Sequence, residues 1–166
     1  MQNSASEIEK KAKLEEKANK GLIKSLKKKH PRNLDEIFQT AHEYVFQKTD
    51  CLACANCCKT LGPRLSNPDI ERLAKYLKIK TVSFISNYLR VDEDGDYVFK
   101  QMPCPFLEPD NKCQVYEQRP KACRDYPHTD RKKMQQILDL TLKNSYVCLA
   151  VTDILVMIRK SNGHGI

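Results

Sequence analysis

Cys51-Leu52-Ala53-Cys54-Ala55-Asn56-Cys57-Cys58 places four thiols in eight residues. Cys104, Cys113, Cys123 and Cys148 bring the total to eight in a chain of 166. Thiols at this density need an oxidising compartment, which joins them as disulfides, or a metal ion, which holds them as thiolates. The fold depends on which applies, because residues 51–67 and 101–128 lack the periodic apolar pattern that would order them by burial alone. Metal bonds can supply that order.

Working outward, nothing near the start reads as a leader. Met1-Gln2-Asn3-Ser4-Ala5-Ser6-Glu7 runs into a charged stretch without a hydrophobic signal core, and Glu7, Glu9, Glu15 and Glu16 argue against a transit peptide. No apolar run approaches the roughly 20 residues needed to cross a bilayer. The expectation is a cytoplasmic protein whose thiols stay reduced, where an even number of cysteines signals metal binding or catalysis more than a disulfide framework. With 40% hydrophobic and 30% charged residues, the composition is that of an ordinary folded chain able to bury a core.

The net charge of +8 is uneven. Residues 1–32 hold ten Lys/Arg against four Glu, so this stretch reads as a basic helical N-terminal arm, and residues 33–166 as the cysteine-cluster domain. The arm offers a surface for nucleic acid or another polyanion, although it lacks interleaved aromatics and the ordinary reading is a solvated helix face. Ser4-Ala5-Ser6-Glu7 has the form of a capping box, and Leu14, Ala18, Leu22 and Leu26 form a thin apolar stripe ahead of Pro31. Asn33, with Glu36 three residues later, opens a second helix with Leu34, Ile37, Phe38, Ala41, Val45 and Phe46 on one face.

Beyond the cluster, Ser66-Asn67-Pro68 starts a helix that buries Ile70, Leu73, Ala74 and Leu77. Thr81 caps a shorter helix containing Val82, Phe84, Ile85, Tyr88 and Leu89. Asp94-Gly95 lies between Leu89-Arg90-Val91 and Tyr97-Val98-Phe99, which is a hairpin signal. Arg119-Pro120 opens a short helix bearing Cys123, and residues 131–142 and about 146–160 read as further helices. The expected fold is mainly α with a small β-hairpin, its irregular cysteine-rich metal-binding loops packed between helices.

Cys51, Cys54 and Cys57 repeat as C-x2-C-x2-C, a spacing that aims successive sulfurs at one centre. It opens the bacterial ferredoxin run, whose fourth cysteine follows three residues later and precedes proline. Here Cys58 is immediate, and the cysteine before a proline is distant Cys104. Radical-SAM enzymes place three residues in the first gap, where this chain has two. Adjacent side chains usually diverge, so Cys57 and Cys58 are candidates for different centres or for different metals of one cluster. An all-sulfur donor set points to zinc or an iron–sulfur cluster and away from magnesium or calcium. His42 and His128 are additional possible ligands, each more ordinarily a partly exposed polar residue. Lys59, Arg64, Arg119, Lys121 and Arg124 flank the cysteines and can offset thiolate charge. Phe106, Tyr116 and Tyr126 read as packing around the site.

The run Cys51-x2-Cys54-x2-Cys57-Cys58, followed by Cys104-Pro105-Phe106-Leu107, Cys113-Gln114-Val115-Tyr116-Glu117-x-Arg119-Pro120 and Cys123-Arg124-Asp125-Tyr126-Pro127-His128, resembles the YkgJ-type cysteine-cluster family, a zinc- or iron-chelating domain. The resemblance covers about residues 45–150, with Cys148 in the place of the family's final cysteine. It implies that Cys51, Cys54, Cys57, Cys58, Cys104, Cys113, Cys123 and Cys148 are all candidate ligands. This chain departs from the pattern at Ala55, where members often carry Gly, and at Leu149, where many carry Pro. A distant relative, the flagellin lysine N-methylase, implies protein-modification chemistry for some members, but no Gly-rich nucleoside or phosphate loop is present here.

The expectation is therefore a metal-binding protein of unassigned activity. The alternatives are a metal-dependent protein-modifying enzyme and a thiol redox protein using Cys54/Cys57 or Cys57/Cys58. The expected partners are the metal ion and, for some roles, another protein. Nucleic acid at the arm is less expected, and no membrane partner is expected.

Overall fold

The computed structural model describes residues 5–162. In chain order the elements are α1 (Ala5–Lys29), α2 (Leu34–Phe46), α3 (Cys51–Cys54), α4 (Asn56–Thr60), β1 (Arg64–Leu65), α5 (Asn67–Tyr76), α6 (Thr81–Tyr88), β2 (Leu89–Val91), β3 (Tyr97–Phe99), α7 (Lys121–Asp125), α8 (Leu138–Ser145) and α9 (Leu149–Asn162). Single 3-10 turns cover Tyr116–Gln118 and Met134–Ile137. The chain is mainly helical with one small antiparallel sheet. It divides into two compact units: residues 1–54 with 127–166, and residues 55–126.

The first unit is a helical bundle in which α9 packs against α1 and α2, and α8 packs against α1 and α9. Its core joins Leu22, Ile23 and Leu26 of α1, Leu34, Phe38, Ala41 and Val45 of α2, and Ile154, Leu155 and Ile158 of α9. Phe38, Ile154 and Leu155 are fully buried, each contributing about 1.5–3 kcal/mol by leaving water.

α1 buries a different stripe from the one its leucines suggest. Leu14 is 79% exposed, while Ile8, Ala12, Asn19, Leu22, Ile23 and Leu26 face inward. Asn19 can stand in this row because its side-chain oxygen accepts a hydrogen bond from Arg159 at 3.4 Å, and Arg159 also pairs with Glu15 at 2.6 Å. A satisfied polar group thus occupies a position that an apolar pattern would miss. Asn33 takes the N-cap position of α2 but makes no side-chain cap. The expected cap at Ser4 lies outside the described residues. Asp35 works elsewhere: its carboxylate accepts the amides of Lys133 at 2.7 Å and Met134 at 2.8 Å, starting the 3-10 turn that leads into α8.

The second unit packs α5 and α6 against a three-stranded sheet of order β1-β3-β2. The expected hairpin is present, with Leu89 opposite Phe99 and Val91 opposite Tyr97. Gly95 takes φ +83, and the Asp92 side chain accepts the amides of Asp94 and Asp96. The third strand, β1, pairs Arg64 with Val98 and was not signalled, being only two residues long. Phe106 is the centre of the core, with Phe84 at 6.4 Å, Tyr88 at 5.2 Å and Phe99 edge-on at 5.7 Å. Two expectations fail locally: Leu89 leaves the helix to begin β2, and Lys80 rather than Thr81 is the N-cap of α6.

Among the described residues, α5 has the best-defined start. Ser66 and Asp69 form a reciprocal capping box with Pro68 in the first turn, which satisfies amides that would otherwise lack partners.

Candidate metal centre

The eight-residue cysteine run is built from two short helical turns separated by a left-handed residue. α3 carries Cys51 and Cys54, three apart and so on one face, and the Asp50 side chain accepts the Leu52 amide at 2.9 Å to open the turn. Ala55 then adopts φ +49, ψ +20, which breaks the helix and starts α4 with Cys57 and Cys58. The boundary between the two compact units falls at this residue, so Cys51 and Cys54 belong to one unit and Cys57 and Cys58 to the other. An L-residue in this region costs about 1–2 kcal/mol relative to glycine.

In the first unit, Cys148 sits in the short connection between α8 and α9, its amide bonded to the Asn144 carbonyl at 2.9 Å. Burial pushes its thiol up to about 11, the amides of Val151 and Ala150 at the start of α9 pull the other way, and the charges of Cys51 and Cys54 add to the rise. Sulfurs more than ninety residues apart in sequence therefore lie within electrostatic reach of one another.

In the second unit, the Cys104 amide donates to the Cys58 carbonyl at 2.9 Å, tying the segment after the sheet to α4. Leu107 and Cys113 form an isolated bridge, so the loop between them returns Cys113 beside Phe106, and Cys104 and Cys113 both pack on the aromatic core. Cys123 lies on α7. Its thiol is pushed up to about 12 by burial and then by the charges of Cys58, Cys104 and Cys113. Cys104 rises to about 11, again through burial first, and Cys113 is raised for the same reason. Cys58 goes the other way, to about 7, because the Cys57 thiol hydrogen-bonds it and Lys59 adds positive charge against the cost of burial.

The Cys57 and Cys58 sulfurs are 4.0 Å apart. Two thiolates on one tetrahedral zinc, with bonds near 2.3 Å, stand roughly 3.8 Å apart, so this pair fits such a site. The expectation that these neighbours diverge is not met at the sulfur atoms. Among the described residues, no three His, Cys, Asp or Glu side chains are already gathered at ligating positions. The donor set itself is all sulfur, neutral when protonated, and suited to zinc or iron.

Asp69 and Arg72, which the sequence reading did not single out as site residues, position the cysteine-bearing segment. The Asp69 carboxylate is 2% exposed and accepts from the Ser66 hydroxyl at 2.6 Å, Arg72 at 2.6 Å and the Lys121 amide at 3.0 Å. Burial opposes its charge, but these donors outweigh it and hold the carboxyl at about 2. Arg72 also donates to the Gln118 and Arg119 carbonyls. The Ser66-x-x-Asp69 pattern was the available signal for the cap, but its reach to Lys121 was not.

Four of the five flanking cations separate into two groups. Lys59 acts on Cys58, and Arg119 pulls down Cys113 and Cys123. Arg64 instead pairs with Asp96, and Lys121 with Asp125. Tyr116 is 51% exposed and carries the Arg119 guanidinium 3.8 Å above its ring, so it is not core packing. His42 is committed to structure: Nδ1 shares a hydrogen bond with the buried Thr129 hydroxyl at 2.8 Å, Nε2 faces Asp130 at 3.9 Å, and the ring stacks on Phe46.

A family model named CxxCxxCC, described as "Putative zinc- or iron-chelating domain", matches residues 50–145. That span exceeds half of the chain, and the chain belongs to this family. No curated protein and no solved structure gives a significant match to it. Among the described residues, no helix is long and apolar enough to cross a membrane.

Proposed function

We propose that this CxxCxxCC-family chain is a cytoplasmic protein that holds zinc or an iron–sulfur cluster through thiolates. Cys51, Cys54 and Cys148 are the donors of one unit; Cys57, Cys58, Cys104, Cys113 and Cys123 are those of the other. The observation supporting this reading is that Cys51 and Cys54 act on Cys148, and Cys58, Cys104 and Cys113 on Cys123, so thiols from remote segments of each unit already lie within electrostatic reach. Bound metal would supply the charge that keeps these sulfurs deprotonated at neutral pH and the bonds that order residues 51–67 and 101–128.

The chain's own contribution is placement. α3 and the start of α9 present one group, while α4, the Leu107–Cys113 bridge and α7 present the other. Phe106 and its aromatic neighbours exclude water from one side of Cys104 and Cys113. Lys59 and Arg119 offset part of the thiolate charge.

The test is oxygen-free purification followed by elemental and sulfide analysis and visible absorption. Zinc in colourless protein selects zinc sites, and iron with sulfide and a blue-region band selects a cluster. Metal-free protein that melts identically with and without added zinc or iron would sink the reading. Thiol-exchange activity in that metal-free protein would favour a thiol redox role.

A further inference from the structure

α1 presents a second kind of site on the face away from the core. At about 100° per residue, Lys10, Lys13, Lys17, Lys20 and Lys24 fall within an arc of about 80°, and no acidic residue of the helix lies in that arc. All five are exposed, as is Lys27 at its edge. From Lys10 to Lys27 the row is about 26 Å long at 1.5 Å per residue. The opposite face is spent on Ile8, Ala12, Leu22, Ile23 and Leu26, so the row is carried on a packed helix and not on a solvated tail.

Its lower half borders a shallow groove between α1 and α8, lined by Lys20, Ile23, Lys24, Lys27, Asp139 and Leu142. Three ammonium groups therefore edge a partly apolar floor. Asp139, the acid on that rim, is paired with Lys27 at 2.8 Å.

We infer that this face of α1 binds the phosphodiester backbone of nucleic acid without reading its sequence. Insertion of α1 into a lipid interface needs an apolar face, and the apolar face of α1 is already in the core. That leaves electrostatic attraction to anionic headgroups as the competing outcome, which the vesicle arm of the test measures. Protein interfaces are depleted in lysine at their centre and anchored by large apolar or aromatic residues, yet Leu14 is the one exposed large apolar side chain of α1. A uniform line of cations suits a uniform line of phosphates. α1 itself contributes no aromatic residue for base stacking, and Tyr146 beside it is engaged through its hydroxyl by Glu16, so the lysine row reads backbone rather than sequence. Lys13, Lys20 and Lys27 also make ion pairs with Glu9, Glu16 and Asp139, but exposed pairs of this kind are weak enough for phosphate to displace.

The experiment compares the full chain with K10Q/K17Q/K24Q, with K10R/K17R/K24R, and with a charge-matched control, K75Q/K80Q/K132Q, which alters exposed lysines elsewhere. The probes are labelled oligothymidylate, a mixed-sequence DNA duplex, its RNA counterpart, anionic vesicles and polyglutamate, each titrated by anisotropy or sedimentation over a range of salt. Wild-type affinity should fall with salt at a log–log slope of roughly −0.7 per contacted phosphate on single strands and −0.9 on duplex. The glutamine variant should bind at least about tenfold more weakly with a slope flatter by roughly 2 to 3, while the arginine variant and the control stay close to wild type.

Equal loss in the control would reduce the effect to net charge and overturn the proposal. Tighter binding to vesicles or polyglutamate than to any nucleic acid would do so as well, as would no salt-dependent nucleic-acid binding at all. Metal content, measured on the same variants, should not change, which keeps this result separate from the fate of the thiol sites.

Discussion

The Asp69 carboxylate accepts the Lys121 amide at 3.0 Å, joining the first turn of α5 to the first turn of α7, the helix that carries Cys123. One buried side chain thereby links a helix cap to a thiol more than fifty residues away, with Arg72 holding the intervening carbonyls of Gln118 and Arg119.

Asp69→Asn should destabilise the chain by about 3 kcal/mol, because Arg72 loses its partner and the Lys121 amide loses a charged acceptor. Metal content should fall with it, through displacement of Cys123. A variant that melts normally and keeps full metal would remove Asp69 from the positioning role.

The same carboxylate gives an acid limb. Its folded value, about 2, lies below the ordinary aspartate value, so its stabilisation is complete above about pH 4 and is lost as pH falls toward 2. The amount is about 2 kcal/mol. Denaturant melts across that window should show the loss in the native chain and a smaller one in Asp69→Asn; identical pH profiles would contradict the assignment.

In the metal-free protein, the raised thiols of Cys104, Cys123 and Cys148 favour the protonated folded state. That stabilisation is present below the unfolded value near 9 and disappears as pH climbs through about 11 to 12. The metal-loaded protein should behave in the opposite sense, losing stability as acid reprotonates the thiolates. Stability curves with and without metal that move together with pH would be inconsistent with thiolate ligation.

Cysteine pairs should reveal the two groups. Cys58→Ser and Cys123→Ser belong to one unit, so the double variant should lose little more metal than either single one. Cys58→Ser with Cys148→Ser combines both units and should be additive. Elemental analysis decides this, and full additivity within the first pair would rule out a shared centre. His42→Ala should leave the metal content unchanged, since both of its ring nitrogens are already engaged by Thr129 and Asp130.

Ala55→Gly should stabilise modestly. Relief of the left-handed backbone gains about 1–2 kcal/mol, while removing a buried methyl gives back about 0.8 kcal/mol. Ala55→Val should cost more than about 2 kcal/mol, since a β-branched residue suits that region least. A melting temperature that rises for valine would show that the turn is not held as described.

The helix plan was legible in the chain because apolar spacing is a local signal. α2 and α5 bury most of the residues their patterns named, and β2 and β3 occupy the expected strands. The eight cysteines were equally plain, since ligand chemistry is a property of residue type. Leu14 failed because periodicity cannot tell which apolar side chains find a neighbour, and Asn19 was missed because only its acceptor role toward Arg159 makes its burial affordable.

By itself, then, the sequence determined the donor chemistry, the mainly helical class and the basic character of α1, all of which follow from residue identity and short-range spacing. Tertiary structure alone decided that Cys54 and Cys57, three residues apart, belong to different units, and that Cys148 falls with Cys51 while Cys123 falls with Cys58. That partition rests on contacts within each unit, such as the Asp69 carboxylate reaching from α5 to α7, that no local pattern encodes, and the left-handed backbone at Ala55 marks where it falls.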